Sequence, residues 1–219
     1  MNRSRFTAVF SACLLLGTGT PSLAAVVSIA DARASGGNVV SMRGTVTVPA
    51  GAFASSTFDQ GFGLQDETGG IYVTMSDNAG LIAGRHVRVT GTLGDDGYGL
   101  AVFQVAAASD VRAAVPAPDP APRTVTTGEL GEATEGVLLD VSGTITRGPN
   151  NDMPYGYSVF IDDGSGETQV FIPASTGVNP FRIPFLKTGN RIGVTGFGGQ
   201  YQSQYEVLPR FRADIRKLP

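Results

Sequence analysis

The chain carries one pattern twice, and that repetition limits its folds more than any other feature. Val40-Ser41-Met42-Arg43-Gly44-Thr45-Val46 alternates apolar and polar side chains around a single glycine, and Leu139-Asp140-Val141-Ser142-Gly143-Thr144-Ile145 does the same. Phe62-Gly63-Leu64-Gln65-Asp66 is answered by Val159-Phe160-Ile161-Asp162-Asp163, each followed by a glycine turn and another alternating run. His86-Val87-Arg88-Val89-Thr90-Gly91 is answered by Arg191-Ile192-Gly193-Val194-Thr195-Gly196, and Ser109 to Pro116 by Ala213 to Pro219. An apolar period of two marks half-buried strands, and no stretch sustains a helical period. Each copy offers about five such runs in about 80 to 90 residues, separated by Gly, Asn, Asp and Pro, the spacing of a small all-β barrel or sandwich. Gly44 and Gly143 fit a bulge or bend, and a closed five-stranded barrel leaves few open edges.

The segment joining the copies, Pro116-Ala117-Pro118-Asp119-Pro120-Ala121-Pro122, has prolines at alternate positions, which fix the backbone and remove donors. It reads as a semi-rigid linker over 116–122. Ahead of the two copies, residues 1–24 combine Arg3 and Arg5, an apolar run from Phe6 to Gly17 and a small-residue end at Ala24-Ala25. That is the form of a secretory signal peptide, and the apolar run is too short to span a bilayer. The expected division is therefore a signal peptide at 1–24, a first domain at 26–115, the linker, and a second domain at 123–219. The mature protein is expected in the periplasm or outside the cell, without membrane insertion.

Cys13, the only cysteine, lies in the signal segment in a poor lipobox context, so cleavage leaves no thiol and no disulfide. Losing Arg3 and Arg5 leaves fourteen basic against nineteen acidic residues, a net charge of −5. This is not the balance of a nonspecific nucleic-acid binder. Seven cations (Arg182, Lys187, Arg191, Arg210, Arg212, Arg216, Lys217) gather between Asn179 and Pro219, against Glu206 and Asp214 alone. They are candidates for phosphate contact or for docking on the acidic stretch from Thr124 to Gln169.

The run Gly61-Phe62-Gly63-Leu64-Gln65-Asp66-Glu67-Thr68-Gly69-Gly70-Ile71-Tyr72-Val73, followed by Gly84-Arg85-His86-Val87-Arg88-Val89-Thr90-Gly91, resembles the oligonucleotide/oligosaccharide-binding (OB) modules of bacterial extracellular nucleases and related secreted proteins. The resemblance spans nearly the whole mature chain, counted as two modules, and departs at Asp163-Gly164-Ser165-Gly166-Glu167. It implies two tandem five-stranded OB-type β-barrels in an all-β protein. It also implies an accessory role in binding nucleic acid, although no nuclease domain is present and fold alone does not set function.

Alternation sorts the faces. With Ile71, Val73 and Met75 inside the first barrel, Tyr72 and Thr74 point outward. With Val159, Ile161, Val170 and Ile172 inside the second, Phe160, Gln169 and Phe171 point outward. OB folds hold ligands on that surface, where exposed rings can stack on bases; the same rings could instead cover a seam between the barrels. Tyr98 and Tyr201 fall in glycine-rich segments, Gly94 to Gly99 and Gly198 to Ser203, expected as loops beside the binding groove or as turns leaning on their own barrels. Arg147 and Arg191 are the nearby cations.

Asp95-Asp96 and Asp162-Asp163 are expected in turns and not at calcium, since neither gives a known ligand spacing. His86, the only histidine, makes a poor zinc site alone. No nucleophile elbow or histidine-rich cluster points to catalysis, so a binding module without cofactor or metal is expected. Its ligand would be single-stranded nucleic acid or another polymer. The alternatives are a protein- or glycan-interaction module of the cell envelope and an accessory subunit of a separate nuclease.

Cleavage after about residue 24 predicts that the intact mass of exported protein lacks the first 24 or 25 residues and carries no lipid. A diacylglycerol adduct at Cys13 would overturn this.

Overall fold

The computed structural model describes residues 26–52 and 58–219. The signal segment lies outside them. The first unit runs β1 (Val26–Val27), α1 (Ile29–Arg33), β2 (Val40–Val48), β3 (Phe62–Gln65), β4 (Gly70–Thr74), β5 (His86–Asp95), β6 (Ala101–Gln104) and β7 (Val111–Ala113). The second runs β8 (Arg123–Val125), β9 (Leu138–Asp152), β10 (Gly156–Asp162), β11 (Thr168–Pro173), β12 (Arg191–Tyr201), β13 (Gln204–Leu208) and β14 (Ile215–Lys217). In the first sheet β2, β3, β4, β6 and β5 pair in that order and β5 returns to β2, closing a five-stranded barrel. The second sheet repeats the circuit as β9, β10, β11, β13, β12 and back to β9. In both, the third and fifth barrel strands run parallel (β4 with β6, β11 with β13), while the other barrel pairings are antiparallel. The protein is two tandem OB-type barrels, each trimmed by short edge strands.

Period-two alternation fills each barrel as expected. Met42, Val46, Phe62, Leu64, Ile71, Val73, Val87, Val89 and Phe103 form the first core. Leu139, Val141, Ile145, Val159, Ile161, Val170, Ile172, Ile192 and Val194 are central to the second. The glycine in each first strand has a specific use: a Cβ at Gly44 would stand 2.7 Å from the Gln65 carbonyl oxygen, and one at Gly143 would stand 3.0 Å from the Asp162 backbone. The register shifts themselves fall further along, at Val46/Val48 and around Phe160. These glycines therefore permit close strand approach and do not mark the bulges.

The two copies share a further device. Asp66 accepts hydrogen bonds from the Ile29 amide at 2.8 Å and from the amides of Thr68 and Gly69, tying the strand 2–3 turn to the start of α1. Asp163 likewise accepts from the Thr127 amide, at 3.2 Å, and from the Thr127 and Ser165 hydroxyls. Those hydroxyl bonds lead in holding its carboxyl down to about 2. Asp162 accepts from the amides of Gly164 and Gly166. These acids are turn and anchor residues.

Residues 114–122 form no regular element, yet they lie along the first barrel. The Ala117 amide donates to His86 Nδ1 at 3.3 Å, and Asp119 lies 3.6 Å from His86 Nε2. His86 thus pins the proline-rich stretch.

A third apolar cluster joins the barrels: Val48, Tyr72, Leu100 and Val102 from the first, Phe197 and Leu208 from the second, with Ala52 and Phe171 at its margin. Tyr72 meets Phe197 edge-on, with centroids 6.1 Å apart at 72°, a geometry that suits the ring quadrupoles. Around the apolar seam, Leu138 donates its amide to Gln65 Oε1 at 2.8 Å, and Arg210 donates to the Thr47 carbonyl at 2.8 Å. Arg33 reaches across to Glu132 and Glu135, both at 2.9 Å. Glu135 is buried, and that burial pushes its carboxyl above its ordinary value against the opposing pull of Arg33. At Gly70 and Gly136 the two backbones nearly touch: a Cβ on Gly70 would stand 1.9 Å from the Gly136 carbonyl oxygen.

Because this seam is part of the apolar interior, the barrels are expected to unfold together in one calorimetric transition. Gly70→Ala should wedge them apart, costing about 1–3 kcal/mol and broadening or splitting that transition. Gly69→Ala, with nothing within 4 Å of its Cβ position, should change little. Two transitions in the wild type would contradict a shared interior.

Candidate ligand-binding cleft

On the outer face of the second barrel, strand register sets one row of side chains. Arg147 on β9 opposes Phe160 on β10, Phe160 opposes Gln169 on β11, Gln169 opposes Glu206 on β13, and Glu206 opposes Gly199 on β12. Phe171, two residues on from Gln169, points the same way and packs against the seam beside Leu208 and Phe197. The face therefore runs from an open end at Arg147 to a closed end under the first barrel.

Where the face meets the first barrel there is a cavity of about 600 Å³. This is within the usual range for ligand sites. Tyr72, Phe171 and Phe197 line its inner part, and Tyr98, Tyr155 and Tyr201 its more exposed margin. Its polar side chains are Asp96, Asp152, Gln169, Ser175, Gln200, Gln204 and Glu206, and among the described residues no lysine or arginine lines it.

Two turns form part of the margin. Asp96 accepts from the Tyr98 and Leu100 amides at 2.8 and 3.1 Å, folding the β5–β6 turn so that Tyr98 is exposed. From the other barrel, the Gln202 amide donates to the Tyr98 carbonyl at 2.5 Å, and the Tyr201 ring stacks on Tyr98 with centroids 5.3 Å apart and planes 13° from parallel. The loop expected over Gly198 to Ser203 is mostly strand: β12 continues to Tyr201, and only Gln202 and Ser203 turn. Tyr98 and Tyr201, read as independent loop residues, form one stacked pair because equivalent turns of the two barrels abut.

The other residues singled out from the sequence separate clearly. Tyr72 points out of its own barrel, as alternation requires, but is fully buried in the seam, with its hydroxyl donating to Asp59 at 2.9 Å. Its ring covers the junction and presents no open stacking surface. Thr74 ends β4 half-buried beside Gln104 and is not in the cleft. Gln169 and Phe171 line the cleft. Phe160 lies at the open end, one face covered by the Arg147 guanidinium 3.6 Å from its centroid. Arg147 is itself paired with Glu167 at 2.5 Å, which leaves less of its charge for a phosphate. Arg191 is exposed at the opposite end of β12 from Tyr201, outside the cleft. In the basic C-terminal stretch, Arg210 pairs with Asp214 at 3.0 Å and Arg216 with Asp140 at 2.6 Å. Arg216 thus docks on the acidic stretch of its own domain.

Among the lining residues that sequence reasoning missed, Glu206 stands at the centre of the row. Its neighbour Val207 is in the core, so alternation alone would have placed Glu206 on the ligand face opposite Gln169. Its side chain is buried, and among the described residues its carboxyl has no hydrogen-bond or ion-pair partner. Burial, reinforced by the charge of Asp152, pushes that carboxyl from an ordinary 4.5 up to about 8. Near neutral pH it is therefore mostly protonated, able both to donate and to accept. Among the described residues, no group of three or more His, Cys, Asp or Glu is arranged to hold a metal ion.

No family model matches the chain, and no curated protein matches it by sequence. Among solved structures it is similar to a murine DNA-binding protein bound with double-stranded DNA, at 13% identity and a TM-score of 0.41 over 82% of this chain and 96% of that one. It is also similar to the tetrameric p202 HIN2, at 14% and 0.40 over 84% and 97%, and to the Ifi202 HINa domain with 20-base-pair double-stranded DNA, at 12% and 0.41 over 83% and 100%. The assignment of tandem barrels rests on this chain's own strand pairing.

The raised carboxyl of Glu206 fixes the sign of a pH effect. Below about 4.5 folded and unfolded chains both carry its proton, whereas between 4.5 and about 8 the folded chain holds it more strongly. The folded state then binds more protons, so this group's contribution to stability is lost as pH rises through that window, at up to about 1.4 kcal/mol per pH unit. Urea melts from pH 5 to 8 should show Glu206→Gln gaining on the wild type as pH rises. Parallel curves would exclude the raised value.

Proposed function

We propose that this protein is an exported, non-catalytic binding module that holds a flexible polymer along the outer face of its second barrel, with the chain entering the cleft between the barrels. One observation carries the reading: the row Phe160, Gln169 and Glu206 is continuous with a cavity of about 600 Å³ whose inner part and margin are aromatic. Rings arranged along a strand face offer flat contacts to successive units of a polymer. Amides and a carboxyl between them orient those units. The signal-like residues 1–24 support export, and the lack of a recognisable catalytic motif supports binding without chemistry.

Two polymer classes suit such a face. Single-stranded nucleic acid is supported by the sequence resemblance to nuclease-associated OB modules and by the exposed Arg147 over Phe160, a cation and ring pair at the open end. A glycan or protein segment is supported by the acidic balance of the mature chain and by a cleft lining that, among the described residues, holds no lysine or arginine. Salt separates them, because binding a polyanion releases counterions and weakens steeply with ionic strength.

The test is fluorescence anisotropy with labelled oligo-dT at two salt concentrations, beside affinity electrophoresis through gels containing neutral polysaccharides. Binding is expected in at least one format. Tyr201→Ala should weaken it by about 1–3 kcal/mol, the usual worth of one stacked ring. Absence of binding in both formats, or binding indifferent to Tyr201→Ala and Phe160→Ala alike, overturns the proposal.

A further inference from the structure

The lining of the cleft distinguishes among the polymers that a binding face could take, by hydrogen-bond character as much as by charge. A phosphate group only accepts, and here it would meet the acceptor carboxylate of Asp152 with no cation to offset it. A cationic ligand only donates, and would leave the N–H groups of Gln169 unused, whereas Gln200 and Gln204 each already donate to a backbone carbonyl. Gln169, Gln200 and Gln204 each carry both a donor and an acceptor. A hydroxyl likewise donates and accepts, so it matches such groups one for one.

One group in the row sharpens the match. Glu206 lies at the centre of the row and lines the cavity, and no hydrogen bond or ion pair among the described residues engages its carboxyl. Gln169, opposite it in the neighbouring strand, and Gln204, two residues before it, share its face. A ligand group between these side chains meets both donors and acceptors, which a hydroxyl complements and a phosphate, an acceptor only, does not.

The margin adds the apolar half of the argument. Tyr98 and Tyr201 are stacked on one another and exposed, and Tyr155 is exposed across the opening. Flat rings at the mouth of a polar-floored cleft suit a ligand that has an apolar face as well as polar edges, which a pyranose ring presents.

We propose, building on the polymer-binding reading above, that the inter-barrel cleft is a binding site for an uncharged glycan, with Glu206, Gln169 and Gln204 bonding its hydroxyls and the Tyr98–Tyr201 pair contacting a sugar ring. The protonated state of the Glu206 carboxyl near neutral pH accords with a neutral ligand.

The experiment is isothermal titration of the full mature protein with cellohexaose, maltohexaose and chitohexaose, each at 20 and 500 mM sodium chloride (about 22 and 4 Å of screening), with oligo-dT and spermine titrated in the same buffers. At least one hexasaccharide should bind with an affinity that changes less than twofold between the salts. Glu206→Leu should weaken it at least tenfold, while Glu206→Gln, which keeps a donor and an acceptor, should stay within threefold of the wild type. Gln169→Ala, at the centre of the same row, gives a second reading should Glu206→Leu disturb folding, and melts of each variant report that directly. Oligo-dT binding that weakens steeply with salt and responds to Tyr201→Ala, with no hexasaccharide bound, overturns the glycan assignment and leaves the polymer-binding function standing. Spermine binding alone overturns it in favour of a cationic ligand. No binding by any of the five overturns both.

Discussion

The apolar seam between the barrels is the contact on which the rest of the structure depends. An OB barrel closes its own interior and needs no partner to do so, yet here Tyr72, Leu100 and Val102 leave the outer wall of the first barrel to meet Phe197 and Leu208 of the second. Burying large aromatic side chains contributes more than any surface ion pair can, so the polar bridges around the seam serve mainly to orient it. Glu135 makes the point: it is buried beside Arg33 with one carboxylate oxygen lacking a partner, a costly arrangement that persists because the backbones at Gly70 and Gly136 already hold the barrels together. The cleft is the edge of this seam, where the two surfaces diverge.

Much of the fold was legible because strand alternation is a local property. Ile71, Val73, Val159 and Ile161 could be assigned to barrel interiors from their neighbours alone, whereas the repeated glycine, read as a bulge or bend, instead lets neighbouring strands pass closely. Alternation also sent Tyr72 and Phe171 outward, correctly in both cases. What it cannot say is whether the outward direction leads to water or to another barrel. That depends on how the two units pack, a long-range choice encoded in no single strand. Tyr72 was therefore a candidate for ligand stacking and a candidate for the seam on identical local grounds.

Charge was legible as a count, and of the two readings of the C-terminal cations, phosphate contact or docking on the acidic stretch of the same domain, Arg216 on Asp140 follows the second; Arg210 pairs with Asp214, and Arg147 on the outer face with Glu167. The carboxyl groups that shape the cleft are scattered through the sequence: Asp96 begins the β5–β6 turn of the first barrel, Asp152 ends β9, and Glu206 lies in β13. Their convergence follows from the parallel pairing of β11 with β13 and from the abutting turns, neither of which leaves a compositional trace.

The repeat would suggest two equivalent sites, one on each barrel, but the packing breaks that symmetry. The first barrel gives up its outer face to the seam, so Tyr72 and Val102 support the site from behind. The second keeps Gln169 and Glu206 facing the cavity and Phe160 at its open end. Equivalent turns, each bearing a tyrosine, then meet head to head at the margin, which neither barrel alone could form. Two copies of one fold thereby make a cleft at their junction, its rings drawn from both barrels and its polar floor mainly from the second. Tyr72, Leu100, Phe197 and Leu208 belong both to the seam and to the cavity lining, so a change at the seam alters the cleft directly.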